Sequence, residues 1–177
     1  KGIYLITGGA GALGRIFTQE IFDKTNEATV VLLGRSELTG ERKSWIKSLQ
    51  TEGQHVEYHC CSDIGKIVAD IRMRHGGLHG ILHCAGVLDD GLLLSKTQQR
   101  VRDVLSPKVS LTTALDVATR DLDLDLFIMF SSASALGSLG QSDYAAGNGF
   151  LDGFAAYRKA KGKTLSIAWP LWREGGM

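Results

Sequence analysis

Between Gly140 and Asn148 the chain reads GQSDYAAGN, which sets Tyr144 in a stretch compatible with a helix, where its phenol could act as a proton donor. An unperturbed phenol titrates near pH 10, roughly three units too high for that task at neutrality. A nearby ammonium removes the obstacle by stabilising the phenolate. The residue four positions after the tyrosine, one helical turn on, is Asn148, which carries no charge and cannot supply that ammonium.

A second stretch with chemistry is TGGAGALG, Thr7 to Gly14, in which Gly9-x-Gly11-x-x-Gly14 falls between a predicted strand and a predicted helix. Glycines there permit a tight turn and a close approach of backbone to a pyrophosphate. The helix N-terminus adds free N–H groups and the positive end of its dipole. The alternative, a glycine-rich turn that only packs helix against strand, is the weaker reading given those flanking elements. The second predicted strand ends in VVLLGRS, Val30 to Ser36, the place where a dinucleotide site selects its cofactor. An acidic side chain would bind the ribose hydroxyls of NAD, whereas the planar fork of Arg35 can pair with a 2′-phosphate and so favours NADPH.

Such residues need a scaffold to hold them together. Short β-branched runs alternate with amphipathic stretches along the chain, the pattern of a parallel sheet with helices on both faces. Strands are expected over Gly2 to Thr7, Thr29 to Leu33, Val56 to Cys60, Gly80 to Cys84, Leu126 to Ser131 and Leu165 to Trp169, with helices between them. Runs such as IYLI, VVLL and LFIMF are apolar throughout, as in strands buried on both faces. The expected fold is α/β, a Rossmann-like doubly wound parallel sheet. No repeat, linker or low-complexity tract divides it, so residues 1–177 read as a single domain.

Composition narrows the function. With 177 residues, 44% hydrophobic and 22% charged, the chain can bury a core. Its net charge of +1 comes without a basic run or basic amphipathic stripe, which argues against nucleic-acid or membrane-surface partners. No apolar run reaches membrane-spanning length and no signal-peptide pattern is present. Cys60, Cys61 and Cys84 are odd in number and lack Cys-x-x-Cys spacing, which fits a reducing cytoplasm better than a disulfide framework. His59 beside Cys60 and His83 beside Cys84 point to opposite faces of their strands and cannot converge on a metal locally.

TGGAGALG, GRS, HCAG (His83 to Gly86), FSS (Phe130 to Ser132) and YAAGN stand in the order found in the short-chain dehydrogenase/reductase superfamily. More closely, the whole chain resembles the catalytic subdomain of a ketoreductase domain from a modular polyketide synthase. The resemblance implies NADPH as cofactor, bound by Thr7, Gly8, Gly9, Gly11, Leu13, Gly14, Arg35, Ser36, Ala85 and Gly86. It also implies an adenine contact at Asp63, in a stretch, YHCCSDIGK, that is shorter than the family pattern. In the superfamily at large a lysine follows the tyrosine by four residues. Polyketide and animal fatty-acid synthase ketoreductases resemble one another in exchanging that lysine with an asparagine. By this likeness the ammonium is Lys108, in SPKVS ahead of an apolar helical stretch and acting from another helix, where it also holds the nicotinamide ribose; Asn148 orders a water chain. The second serine of FSS, Ser132, takes the substrate carbonyl. Ser131 meets the usual family spacing to the tyrosine and Ser132 falls one residue short; Ser132 is preferred because it follows the motif and the loop ASALGSLG is itself one residue short.

Leu88-Asp89-Asp90 resembles the mark of the B type, which delivers a D-configured β-hydroxyl. The tryptophan of the A type is replaced by Leu136, and no proline follows Tyr144 as it does in the subtype acting on an epimerised α-substituent. The implied reaction is reduction of a β-ketoacyl thioester with hydride from NADPH and a proton from Tyr144. Its implied partners are an acyl carrier protein bearing a phosphopantetheine-linked chain, a noncatalytic ketoreductase subdomain and neighbouring synthase domains, with a lid over the site where the chain reads WPLWREGGM. A free-standing dehydrogenase for small ketones would share the fold but place its lysine at position 148. A noncatalytic scaffold domain would be expected to lose members of the Ser, Tyr, Lys and Asn set.

Overall fold

In a computed structural model the protein is described over residues 2–50, 53–60, 63–158 and 162–171. The strands are β1 (Gly2–Thr7), β2 (Ala28–Gly34), β3 (Gln54–Cys60), β4 (Gly80–His83), β5 (Leu126–Ser132) and β6 (Thr164–Trp169). They form one sheet in the order β3-β2-β1-β4-β5-β6, with every pairing parallel. The helices are α1 (Ala12–Lys24), α2 (Gly40–Ser48), α3 (Ile64–His75), α4 (Gln98–Leu105), α5 (Ser110–Ala118) and α6 (Ser142–Arg158). All six expected strands are found. β2, β3 and β6 start earlier than the apolar runs suggest, because register with a neighbour (Ala28 with Gln54, for example) recruits polar residues into the ladder. β4 stops at His83: Cys84 still donates its N–H to Thr7 O (3.1 Å), but the chain then leaves the sheet beneath Gly8.

The alternation of side chains along each strand divides the core in two. On one face Leu5, Val31, Phe127 and Met129 pack against Ile67 and Ile71 of α3, Leu115 of α5 and Leu151 of α6. On the other, Ile6, Val30, Leu32 and Phe130 meet Phe17 and Phe22 of α1 and Trp45 of α2. β2, between two partners and under both layers, buries every residue but Gly34. The order of strands reverses between β1 and β4, and in such sheets a crevice opens at the carboxyl ends of the strands. Among the described residues no helix is long and apolar enough to cross a membrane.

Candidate active site

The glycine-rich turn leaves β1 with Gly8 at φ +65°, a left-handed conformation, its Cα so close to the backbone of Cys84 and Ala85 that a Cβ would lie 3.0 Å from them. A Cβ on Gly14 would overlap the backbone of Gly9, so α1 can approach the turn only with glycine there. Gly11 caps α1 in an extended conformation, no side chain bonds to the cap, and the first turn holds no acidic residue. Its N–H groups and dipole are therefore available to an anion. Leu13 packs into the core beneath. Thr7 is 1% exposed and its hydroxyl bonds His83 Nδ1 at 2.6 Å, so its side chain supports the site from within.

Arg35 and Ser36 follow β2 as exposed residues at this same sheet edge, and the Ser36 carbonyl accepts from the Tyr58 hydroxyl at 2.6 Å. Ala85 and Gly86 follow β4 directly. Asp63 stands at the start of α3 as its N-cap, accepting from Lys66 N at 3.1 Å, and that bond holds its carboxyl below the usual range. Cys61, beside it, and the segment WREGGM at the end of the chain lie outside the described residues.

The residues expected to carry the proton chemistry converge where β5 meets α6. Lys108 sits on the corner between α4 and α5 rather than on a helix. Its side chain runs past Gly147, where a Cβ would come within 3.2 Å of it, and Nζ donates to Phe130 O at 2.6 Å, 5.9 Å from the centre of the Tyr144 ring. Burial pushes its pKa down to about 8. His83 fixes the corner. Since Pro107 O can only accept, the 2.8 Å contact makes His83 Nε2 the protonated nitrogen, and Nδ1 then accepts from Thr7. Burial, with the neighbouring Lys108 adding to it, pushes this imidazole down to about 3, so it remains neutral beside the ammonium.

Asn148 is fully buried. Its Nδ2 donates to Tyr144 O (2.9 Å) and Ser134 Oγ (3.3 Å), while Oδ1 has no protein partner. Ser131 is 4% exposed and donates to Asn148 O at 3.2 Å, tying β5 to α6. Ser132 is half-buried, and its oxygen accepts from Ser134 N at 3.2 Å, which leaves the hydroxyl proton for another acceptor. In the sequence His83 is only the first residue of HCAG and Ser134 only a member of the ASALGSLG loop, and neither position by itself signals the contacts it makes. The turn signal at Ser132-x-Ser134 was the one local hint. The Leu88-Asp89-Asp90 loop lies alongside: Asp89 pairs with Arg100 of α4 (2.5 and 2.7 Å), and Asp90 accepts from Gln141 (3.0 Å).

A family model described as KR domain matches residues 2–174. The chain is 48% identical to polyketide synthase PksN of Bacillus subtilis (strain 168) and 40% identical to polyketide synthase ThaG of Burkholderia thailandensis. Each alignment runs over 190 residues, more than the 177 of this chain, so the relatives are longer within the matched region. The match spans 100% of this chain but 4% of PksN, and 99% of it but 3% of ThaG. Among solved structures, a ketoreductase domain from the bacillaene assembly line superposes with a TM-score of 0.95 at 42% identity, over 99% of this chain and 45% of that one. An N-terminal ketoreductase from the macrolactin assembly line gives 0.91 at 42% identity, over 98% and 37%.

Proposed function

The chain belongs to the KR domain family of polyketide synthases, and from that premise we propose that it reduces a β-ketoacyl thioester, held on the phosphopantetheine arm of an acyl carrier protein, to a β-hydroxyacyl thioester. The observation that carries the proposal is the gathering of Lys108, Tyr144, Asn148 and Ser132 at the carboxyl edge of the sheet, beside a helix N-terminus with no side-chain cap. The turn fits NADPH. Gly8, Gly9 and Gly14 let the turn and α1 pack closely against Ala85, Leu32 and Gly9, which sets the uncapped N-terminus of α1 at the sheet edge for a pyrophosphate, and exposed Arg35, with Ser36, stands where a 2′-phosphate would be read. Held there by the α1 N-terminus, Arg35 and Ser36, NADPH would supply a hydride for the substrate carbonyl carbon.

The protein's own groups act on the carbonyl oxygen. The Ser132 hydroxyl donates a hydrogen bond to that oxygen and polarises it, keeping its proton. Tyr144 hands over the phenolic proton as the alkoxide develops, and the Lys108 ammonium near its ring stabilises the phenolate left behind. Asn148 Oδ1, buried without a protein partner, accepts from a water that returns the proton. Asn148 at the fourth position after Tyr144 counts against a free-standing dehydrogenase, and retention of all four residues counts against a scaffold role. In this reading residues 1–177 are the catalytic subdomain of a cytoplasmic synthase, working beside a noncatalytic subdomain, and Leu88-Asp89-Asp90 directs formation of a D-configured hydroxyl. Incubating the full-length protein with NADPH and β-ketoacyl thioester analogues should consume the cofactor absorbance and yield mainly the D product. Lack of consumption with every acyl length tried would refute the activity, and an L product would refute the stereochemical part.

A further inference from the structure

We infer that Lys96 and Asp143 form a buried lock that sets Tyr144 against the Leu88-Asp89-Asp90 loop, which makes them positioning residues; the inference rests on the reaction proposed above. Lys96 lies on the connection between β4 and α4, and its Nζ donates to both Asp143 oxygens, at 2.8 and 2.6 Å. Each side chain is only 1% exposed. The same carboxylate accepts from the backbone N–H of Tyr144 at 2.9 Å, so one group holds both the loop and the turn of α6 that carries the phenol. Two more bonds join the loops: Gly91 N donates to Gly140 O (2.8 Å), and Gln141 Nε2 donates to Asp90.

Apolar packing cannot provide this registration. Leu92, Leu93 and Leu94 on one loop and Leu136 and Leu139 on the other are between 53% and 101% exposed, so the large apolar side chains of both segments face outward. A buried ion pair contributes little net stability compared with apolar residues of similar size, but its hydrogen bonds are directional. Losing one partner leaves a buried charge, and here that charge would stand next to the residue that has to become a phenolate. The charges around Tyr144 are Lys108 from the α4–α5 corner, Asp143 from its own helix, and Lys96, Asp90 and the Asp89–Arg100 pair from the loop and α4.

The test compares Lys96→Met, Asp143→Asn and the double variant Lys96→Met/Asp143→Leu in the full-length protein. Each single variant should lower kcat about tenfold or more, since small displacements of a reacting group can do so, and should raise the share of the minor hydroxyl enantiomer. The KM for NADPH should stay within about twofold, a loss of less than about 0.5 kcal/mol. The double variant leaves no unpaired charge. It should recover the melting temperature while remaining slow and unselective, which a merely structural pair would not do. Amide exchange at Gly91 and Tyr144 should speed up about tenfold or more in the single variants, whatever the protein's activity. A folded double variant with the parent kcat and enantiomer ratio would overturn the positioning role, and unchanged exchange at both amides would overturn the lock itself. A parent protein that consumes no NADPH would count against the reaction alone, and the exchange result would still decide the lock.

Discussion

Lys108 combines burial with a charge that the proposed chemistry needs. Its folded pKa of about 8 lies below the ordinary 10.5 because burial disfavours the ammonium. Between those values the unfolded chain binds more protons than the folded one. Stability therefore rises with pH from about 8 to 10.5 and sits at its lower plateau below 8, where the buried ammonium is fully present. Lys108→Met should raise the melting temperature at pH 7, flatten the rise measured up to pH 10, and still slow turnover. The alkaline limb of the rate profile should begin near pH 8 in the parent, where Lys108 loses its charge, and be absent from the variant over that range. Scanning calorimetry at two pH values and a pH–rate profile check both halves; a destabilised Lys108→Met with an unchanged profile would remove Lys108 from the proton chemistry. Tyr144, Asn148 and Lys108 were legible in the sequence because motif order gave them away. The bond from Lys108 to Phe130 and the partnerless oxygen of Asn148 were not, since the first depends on how the α4–α5 corner meets β5 and the second on how α6 packs there.

The strands were legible from short apolar runs, which parallel strands buried on both faces cannot avoid. The ends of the elements were less so. Lys108 lies on a corner rather than a helix, Asp63 turns out to be a helix cap, and Thr7 faces inward, because each depends on a neighbour distant in sequence or on the exact start of a helix. His83 shows the difficulty best: it opens the HCAG motif, but nothing local shows that it joins β1, β4 and the Lys108 corner through Thr7 and Pro107. Its folded pKa of about 3 lies below the usual 6.5, so the unfolded chain binds more protons between those values, and stability falls as pH drops below 6.5. Glu57 on β3 enters later. Burial raises its pKa, but bonds from Arg74 and His59 outweigh that and bring it to about 2, so its contribution is lost only below 4.5. The interval from pH 6.5 to 4.5 thus isolates His83 from Glu57. His83→Gln, which can still donate to Pro107 O and accept from Thr7, should flatten the acid slope in that interval and lower stability at pH 7 by about 1 kcal/mol. Equilibrium denaturation at pH 7, 6 and 5 would show it, and an unchanged slope would place the acid sensitivity elsewhere.

The carboxyl edge of the sheet gathers the ends of β1, β2, β4 and β5, so a molecule bound there engages most of the fold at once. A ligand that binds only the folded state stabilises it by mass action, by about 2.7 kcal/mol at a concentration of 100 Kd. For a chain of this size that corresponds to a rise in melting temperature of about 5–10 °C. The size of the rise should depend on which nicotinamide cofactor is added, since a charge-assisted pair with a 2′-phosphate contributes roughly 1.5–3 kcal/mol and NADH has no such group. Arg35 follows β2 as an exposed residue with its guanidinium available, so its removal should leave the fold intact. Arg35→Ala should therefore keep the parent melting temperature without cofactor. At an NADPH concentration of 100 parent Kd, a tenfold weaker affinity, about 1.4 kcal/mol, would cut the rise roughly in half, while the small rise with NADH stays as it was. Thermal scans of the two proteins with each cofactor decide the matter without a turnover assay. Equal rises with NADPH and NADH in the parent would show that the 2′-phosphate is not read, and a lower melting temperature for Arg35→Ala without cofactor would make Arg35 a structural residue.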